Sequence, residues 1–145
     1  MKRIALLLLF IVLISGCTEE RPVGFYVTKV IDGDTFVIST GEHVRILGMN
    51  TPEKDQYYYE EATQRLRQLI ENNYVTLEKD NTNKDKYGRL LRYVYLGGRM
   101  IDAQMLEEGY AVLFVFETDK KYENILKQSE NYAKNHHLGL WNTTN

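Results

Sequence analysis

From Phe25 onward, apolar residues alternate with polar ones. Phe25, Val27, Val30 and Ile31 lead into a turn at Asp32-Gly33-Asp34, and Phe36 and Ile38 resume the alternation behind it. Period-two spacing bounded by Gly and Asp predicts two strands. A second turn at Ser39-Thr40-Gly41-Glu42 is followed by Val44, Ile46 and Leu47, a third strand that stops at Gly48. The period then lengthens: Ala62, Leu66, Leu69 and Ile70 follow i, i+4, i+7, i+8 spacing with Glu60, Glu61, Arg65, Arg67 and Glu71 between them, which predicts an amphipathic helix ending at Asn72-Asn73. Tyr74 to Glu78 reads as a fourth strand and Leu90 to Leu96 as a fifth, closed by a tight hairpin at Gly97-Gly98. Asp102 is the expected N-cap of a short helix through Met105 and Leu106, with Gly109 at its C-terminal end. Val112 to Phe116 is either extended or packed on the core. A last helix is expected from about Asp119, with Tyr122, Ile125, Leu126, Ser129 and Ala133 on one face, and Trp141 closes the core edge. Five strands in a meander, one helix after the third and two at the end, predict an α+β domain built as a small barrel.

The first residues follow other rules. Met1-Lys2-Arg3 is basic, Ile4 to Leu13 is wholly apolar, and Ile14-Ser15-Gly16 brings small residues to Cys17. That is the shape of a secretory signal over residues 1–16; the apolar run is shorter than the roughly 20 residues of a spanning helix, and an uncleaved anchor is the competing reading. Cys17 is the only cysteine, so no internal disulfide forms. Ile14-Ser15-Gly16-Cys17 resembles a bacterial lipobox, which implies lipidation of Cys17 and attachment to a membrane outside the cytoplasm, at the cell surface or on the periplasmic side. Thr18 to Gly24 reads as a tether reaching roughly 15 Å, which places the domain at 25–142.

Charge narrows the range of partners. The chain carries 18 Lys and Arg against 20 Asp and Glu, a formal net charge of −2, and without Lys2 and Arg3 the balance is 16 against 20, or −4. A mildly acidic protein does not attract polyanions as a whole, so nucleic-acid binding must rest on a few placed cations. His43, His136 and His137 lack partners at metal-ligand spacing, which argues against zinc. Tyr57-Tyr58-Tyr59 either stacks unpaired bases or covers the first turn of the following helix. Asp32 is a turn former or an acid supporting Asp34 from behind.

Four stretches occur in one order: Ile31-Asp32-Gly33-Asp34-Thr35; Val44-Arg45-Ile46-Leu47 running to Asn50-Thr51-Pro52-Glu53; Asp85-Lys86-Tyr87-Gly88-Arg89; and Gly139-Leu140-Trp141. Together they resemble the staphylococcal-nuclease-like (thermonuclease) family across Phe25 to Trp141. The resemblance implies a five-stranded OB-fold β-barrel with three α-helices, acting as a monomer on DNA and RNA with one calcium ion. It implies Asp34, Asn50 and Thr51 (through its carbonyl) as metal ligands, Glu53 as the base acting on water, and Arg45 and Arg89 as phosphate clamps. Lys86, Tyr87, Phe114 and Phe116 fall at substrate-binding positions. The residue types suit these roles: hard cations take oxygen ligands, guanidinium forks match phosphoryl oxygens, and a carboxylate can accept a proton from water. Two positions depart from the family's best-known member, which has aspartate at Asn50 and tyrosines at Phe114 and Phe116. The amide predicts weaker calcium binding with activity retained, and the phenyl rings keep apolar contact without hydroxyl hydrogen bonds. A second class of function, an inactive OB-fold gripping single strands through Arg45, Arg89 and the tyrosines, has no need of the acids Asp34 and Glu53, which repel phosphate.

Overall fold

A computed structural model of the chain describes residues 24–142. The predicted leader 1–16, Cys17, the tether up to residue 23, and Thr143-Thr144 lie outside the described residues. The elements in order are β1 (Phe25–Val30), β2 (Thr35–Ile38), β3 (His43–Ile46), β4 (Met49–Asn50), α1 (Tyr59–Ile70), β5 (Tyr74–Glu78), β6 (Leu90–Leu96), β7 (Arg99–Met100), α2 (Ile101–Glu107), β8 (Val112–Leu113) and α3 (Glu123–Asn135), followed by a 3-10 turn at Gly139–Trp141.

Five of the strands close a barrel in the order β3-β2-β1-β5-β6, with β3 pairing back onto β6. This is the five-stranded OB-fold barrel with three α-helices, of α+β class. The strand order is not the predicted meander. β1 lies between β2 and β5, and the closing pair is parallel, with Val44 opposite Leu90, Arg45 opposite Leu91 and Ile46 opposite Arg92. A parallel closure joins residues almost fifty positions apart, so no local turn signal announces it. Between Val27 and Lys29 the β1–β2 register shifts. This bulge lets both Val27 and Val30 face inward, three residues apart. Phe25, the first residue of β1, and Ile31, just past its end, are both exposed.

Phe36, Ile38, Val44, Ile46 and Val94 are buried in the barrel strands, Tyr93 meets Tyr122 edge-on, and Leu66 and Ile70 of α1, Met105 and Leu106 of α2 and Leu126 of α3 join the same core. Each such large apolar side chain contributes about 1.5–3 kcal/mol through burial.

The helix ends revise two expectations. Asp102 is not an N-cap: Met100 holds that position, while Asp102 is wholly buried and accepts the N–H of Val94 at 2.9 Å. Helix α3 begins at Glu123, because Asp119 is folded inward to accept the N–H of Thr82 at 2.8 Å. On α3, Ile125 faces solvent, and the buried Glu130 takes an inward position by accepting the N–H of Leu113 at 2.8 Å and pairing with Lys134 at 2.6 Å. The segment after Val112 pairs for only two residues, β8 against β4.

Gly109, as expected, follows the end of α2, with φ of +78°. Its second role is a close approach: a Cβ there would stand 2.3 Å from Leu138 O, and one on Gly139 would stand 2.2 Å from Gly109 O. The N–H of Leu140 donates to Gly109 O at 2.9 Å, so these two glycines pin the chain's last turn to α2. Trp141 is half-buried there, with Lys134 Nζ 4.5 Å from its ring.

Candidate active site

The turn between β1 and β2 sets the first acid. Asp32 Oδ1 accepts the N–H of Asp34 at 3.0 Å, an Asx turn that fixes where Asp34 points. Asp32 is thus a turn former, and burial together with the Asp34 charge raises its carboxyl above the usual range. Asp34 is buried among donors: the Thr35 hydroxyl at 3.0 Å, and the Thr51 N–H and hydroxyl at 3.1 and 3.2 Å. Gly33 makes that approach possible, since a Cβ on it would fall 2.7 Å from Thr51 Oγ1.

Arg45 lies opposite Thr35 across the β2–β3 pair and turns inward, its Nε 3.2 Å from Asp34 Oδ1. Its other nitrogens donate to Ile46 O at 2.6 Å and to Asn50 Oδ1. Burial pulls the guanidinium's pKa down, and the neighbouring Asp34 charge works in the opposite direction. An arginine remains fully charged at neutral pH in either case.

Arg89 arrives from the turn before β6. Asp85 organises that turn by accepting the N–H groups of Tyr87 and Arg89 at 2.9 and 3.0 Å and the Arg89 Nε at 2.7 Å. Burial alone would raise the Asp85 carboxyl, but these hydrogen bonds, led by the Arg89 side chain, outweigh it and hold the group below its ordinary value. Arg89 also reaches the Thr35 hydroxyl at 3.3 Å, so both guanidiniums close on the Asp34-Thr35 corner. The Tyr87 ring is 73% exposed, with Lys86 Nζ at 5.0 Å and Arg89 Cζ at 5.5 Å from its centroid.

A cavity of about 510 Å³ opens over this corner, and Asp34, Arg45, Asn50, Glu53, Lys86, Tyr87, Arg89, Phe114 and Phe116 all line it. The two phenylalanines meet edge to face, centroids 5.0 Å apart. Every predicted side chain but two is therefore gathered at one opening. Thr51 joins through its bonds to Asp34, and Cys17 is outside the described residues. Glu53 is exposed at the rim, its backbone N–H donating to Gln56 Oε1 at 2.7 Å. Sequence reasoning quoted Asp85 within a motif without giving it a task, although its i, i+4 spacing to an arginine around a glycine turn is a visible signal. It also missed Thr35, which bridges Asp34 and Arg89, and Asp119, which lines the same cavity.

The residues 43–143 match the family described as Staphylococcal nuclease homologue. A thermonuclease of Staphylococcus intermedius is 34% identical over 136 residues, covering 88% of this chain and 81% of that protein. The chain belongs to the staphylococcal nuclease family. A second staphylococcal relative, the thermonuclease of Staphylococcus hyicus, is 30% identical over 136 residues, covering 88% of this chain and 80% of its own. Endonuclease YncB of Bacillus subtilis is 37% identical over 134 residues, 85% of this chain and 64% of that one. Membership in the nuclease family makes the chain a hydrolase of the phosphodiester class.

The family implies a metal, and the donor set here answers to a hard cation. Asp34, the Asn50 amide oxygen and the Thr51 carbonyl are all oxygen donors. Among the described residues no three His, Cys, Asp or Glu side chains gather as a metal cage. Asn50 Oδ1 accepts from Arg45, which puts the amide and the guanidinium in direct contact.

Proposed function

We propose that this nuclease-family protein is a calcium-dependent enzyme that hydrolyses phosphodiester bonds of DNA and RNA while anchored outside the cytoplasm through lipid on Cys17. The observation that supports it best is the convergence of Arg45, from β3, and Arg89, from the turn before β6, with Glu53 at the mouth of one cavity. Asp34, Asn50 and Thr51 would hold the calcium ion, which would supply positive charge to offset that of the phosphate.

The chain's own groups divide the remaining work. Arg45 and Arg89 donate N–H bonds to the phosphoryl oxygens, where charge grows in the transition state, and orient the group for in-line attack. Asp85 and Asp34 hold those two guanidiniums in place. Glu53, unburied at the rim, accepts the proton of the attacking water as its oxygen bonds to phosphorus and the bond to the leaving sugar oxygen breaks. Tyr87, Phe114 and Phe116 present ring faces and edges to the nucleotide, and Lys86 adds a cation beside it.

Incubating the protein with DNA and RNA, in calcium and in chelator, tests the reading. Cleavage should require calcium, and Glu53→Gln should lower kcat by about 10²–10⁴-fold with little change in KM. Equal cleavage by Glu53→Gln and Arg89→Ala would sink the assignment. For the anchor, Cys17→Ser should release the protein from the membrane fraction and remove a lipid-sized mass from its N-terminus.

A further inference from the structure

A second cavity, also about 510 Å³, lies beside the first and shares Asn50 with it. Pro52, Tyr57, Val112 and Leu140 give it an apolar wall, and Thr51 and Gln56 are its other polar residues besides Asn50. No charged side chain lines it, whereas the catalytic cavity holds seven of them. The two openings thus flank the Asn50–Glu53 segment, one built for phosphate and the other unsuited to it.

Tyr57 is held out at this second opening. It is 61% exposed, and the residues around it are in the left-handed region, Asp55 at φ +70° and Tyr58 at φ +72°. Such conformations cost free energy in non-glycine residues and persist only where packing enforces them. The packing here is aromatic: Tyr58 stacks on Tyr110 with centroids 5.5 Å apart, and Tyr57 leans on Tyr58 at 5.3 Å. The outcome is a supported ring beside an uncharged groove that continues from the active-site cavity.

We propose that this groove is a second base subsite, in which Tyr57 stacks a base of a single strand on the side of the scissile phosphate away from Tyr87. The assignment rests on the nuclease reading of the neighbouring cavity. A strand whose phosphate lies between Arg45 and Arg89 must carry its neighbours out past the walls of that cavity. Tyr87 lines that cavity and not the groove, Tyr57 lines the groove and not that cavity, and Asn50 lines both. An uncharged groove accepts the flat, neutral face of a base and rejects the backbone, and stacking needs no particular base. A paired base cannot enter, so the subsite favours single strands or frayed ends.

The test measures binding by the full-length Glu53→Gln protein in calcium, whose slowed turnover leaves the strand largely intact while binding is read. Two probes of equal length are used, a single-stranded oligothymidylate and an abasic strand carrying only sugar and phosphate. Tyr57→Ala should weaken oligothymidylate binding about 5- to 100-fold and leave the abasic strand within about twofold, while Tyr57→Phe keeps the ring and the affinity. Equal losses on both probes, or none on either, would overturn the subsite. Cleavage of the oligothymidylate by the unsubstituted protein is scored in parallel. Its absence would overturn the nuclease reading, while the binding comparison would still decide whether the groove takes a base.

Discussion

Asn50 answers to two groups at once. Its amide oxygen accepts from Arg45, and in the function proposed above the same oxygen would also face calcium. Aspartate there would add a negative charge toward both. Asn50→Asp should therefore lower the calcium concentration that half-saturates activity, on the order of tenfold, and a calcium titration showing an unchanged midpoint would count against it. Asp85 answers to Arg89 alone among side chains, and it also fixes the turn that carries it. Asp85→Asn keeps the size but surrenders the charge-assisted bond, so Arg89 loses its fixed position. The expected result is a fall of up to about 100-fold in kcat/KM, read by steady-state kinetics, with the folded state retained by circular dichroism. Asp34, Arg45, Glu53 and Arg89 were legible from residue type and motif order. Thr35 was not, because its task is to bridge other side chains, which is visible only once distances are known, and Asp85 showed only in its spacing to Arg89.

At the level of elements, local signals served where the cause was local. The i, i+4 stripe from Ala62 to Ile70 marks α1, and turn residues bound β2 and β3, because burial of one face and backbone freedom act within a few residues. Asp102 shows the limit: its position before Met105 and Leu106 fits an N-cap, yet the carboxylate serves Val94 on β6 instead. Tertiary contact overrides the local preference there, as Asp119 does when it folds back on Thr82 and delays α3. The parallel closure of β3 on β6 likewise has no short-range signature. Gly139 allows a sharp test of element packing, because its φ is +51° and its missing Cβ leaves room for Gly109 O. Gly139→Ala should destabilise the fold by about 1–3 kcal/mol, seen as a lower urea midpoint at an unchanged slope.

For the whole molecule, charge is arranged rather than abundant. With a net charge of −2, strand binding must rest on Arg45, Lys86 and Arg89 at the cavity. A plot of log affinity against log salt should accordingly have a shallow slope of about −2, and a steep dependence would reveal a larger cationic surface. The buried carboxyls pull stability in opposite directions with pH. Burial raises Asp102 well above the ordinary range, with the Val94 N–H opposing, and one of its oxygens has no hydrogen-bond partner among the described residues. Its contribution is full below the unfolded pKa and is lost as pH rises through the folded one. Asp119 is held low: burial opposes, but bonds from Thr82 and Thr118 prevail, so its contribution is present above the unfolded pKa and is lost as pH falls through the folded value. Asp102→Asn should therefore raise stability at neutral pH by about 1–3 kcal/mol and change little in acid, as measured by denaturant unfolding across pH. The parallel seam between β3 and β6 carries one further meaning. Arg45 sits within it and Arg89 just before it, so the gap between the two clamps is fixed only when that seam zips. A chain whose seam has not closed holds both arginines without their spacing, so in a refolding assay cleavage should appear only as the barrel closes.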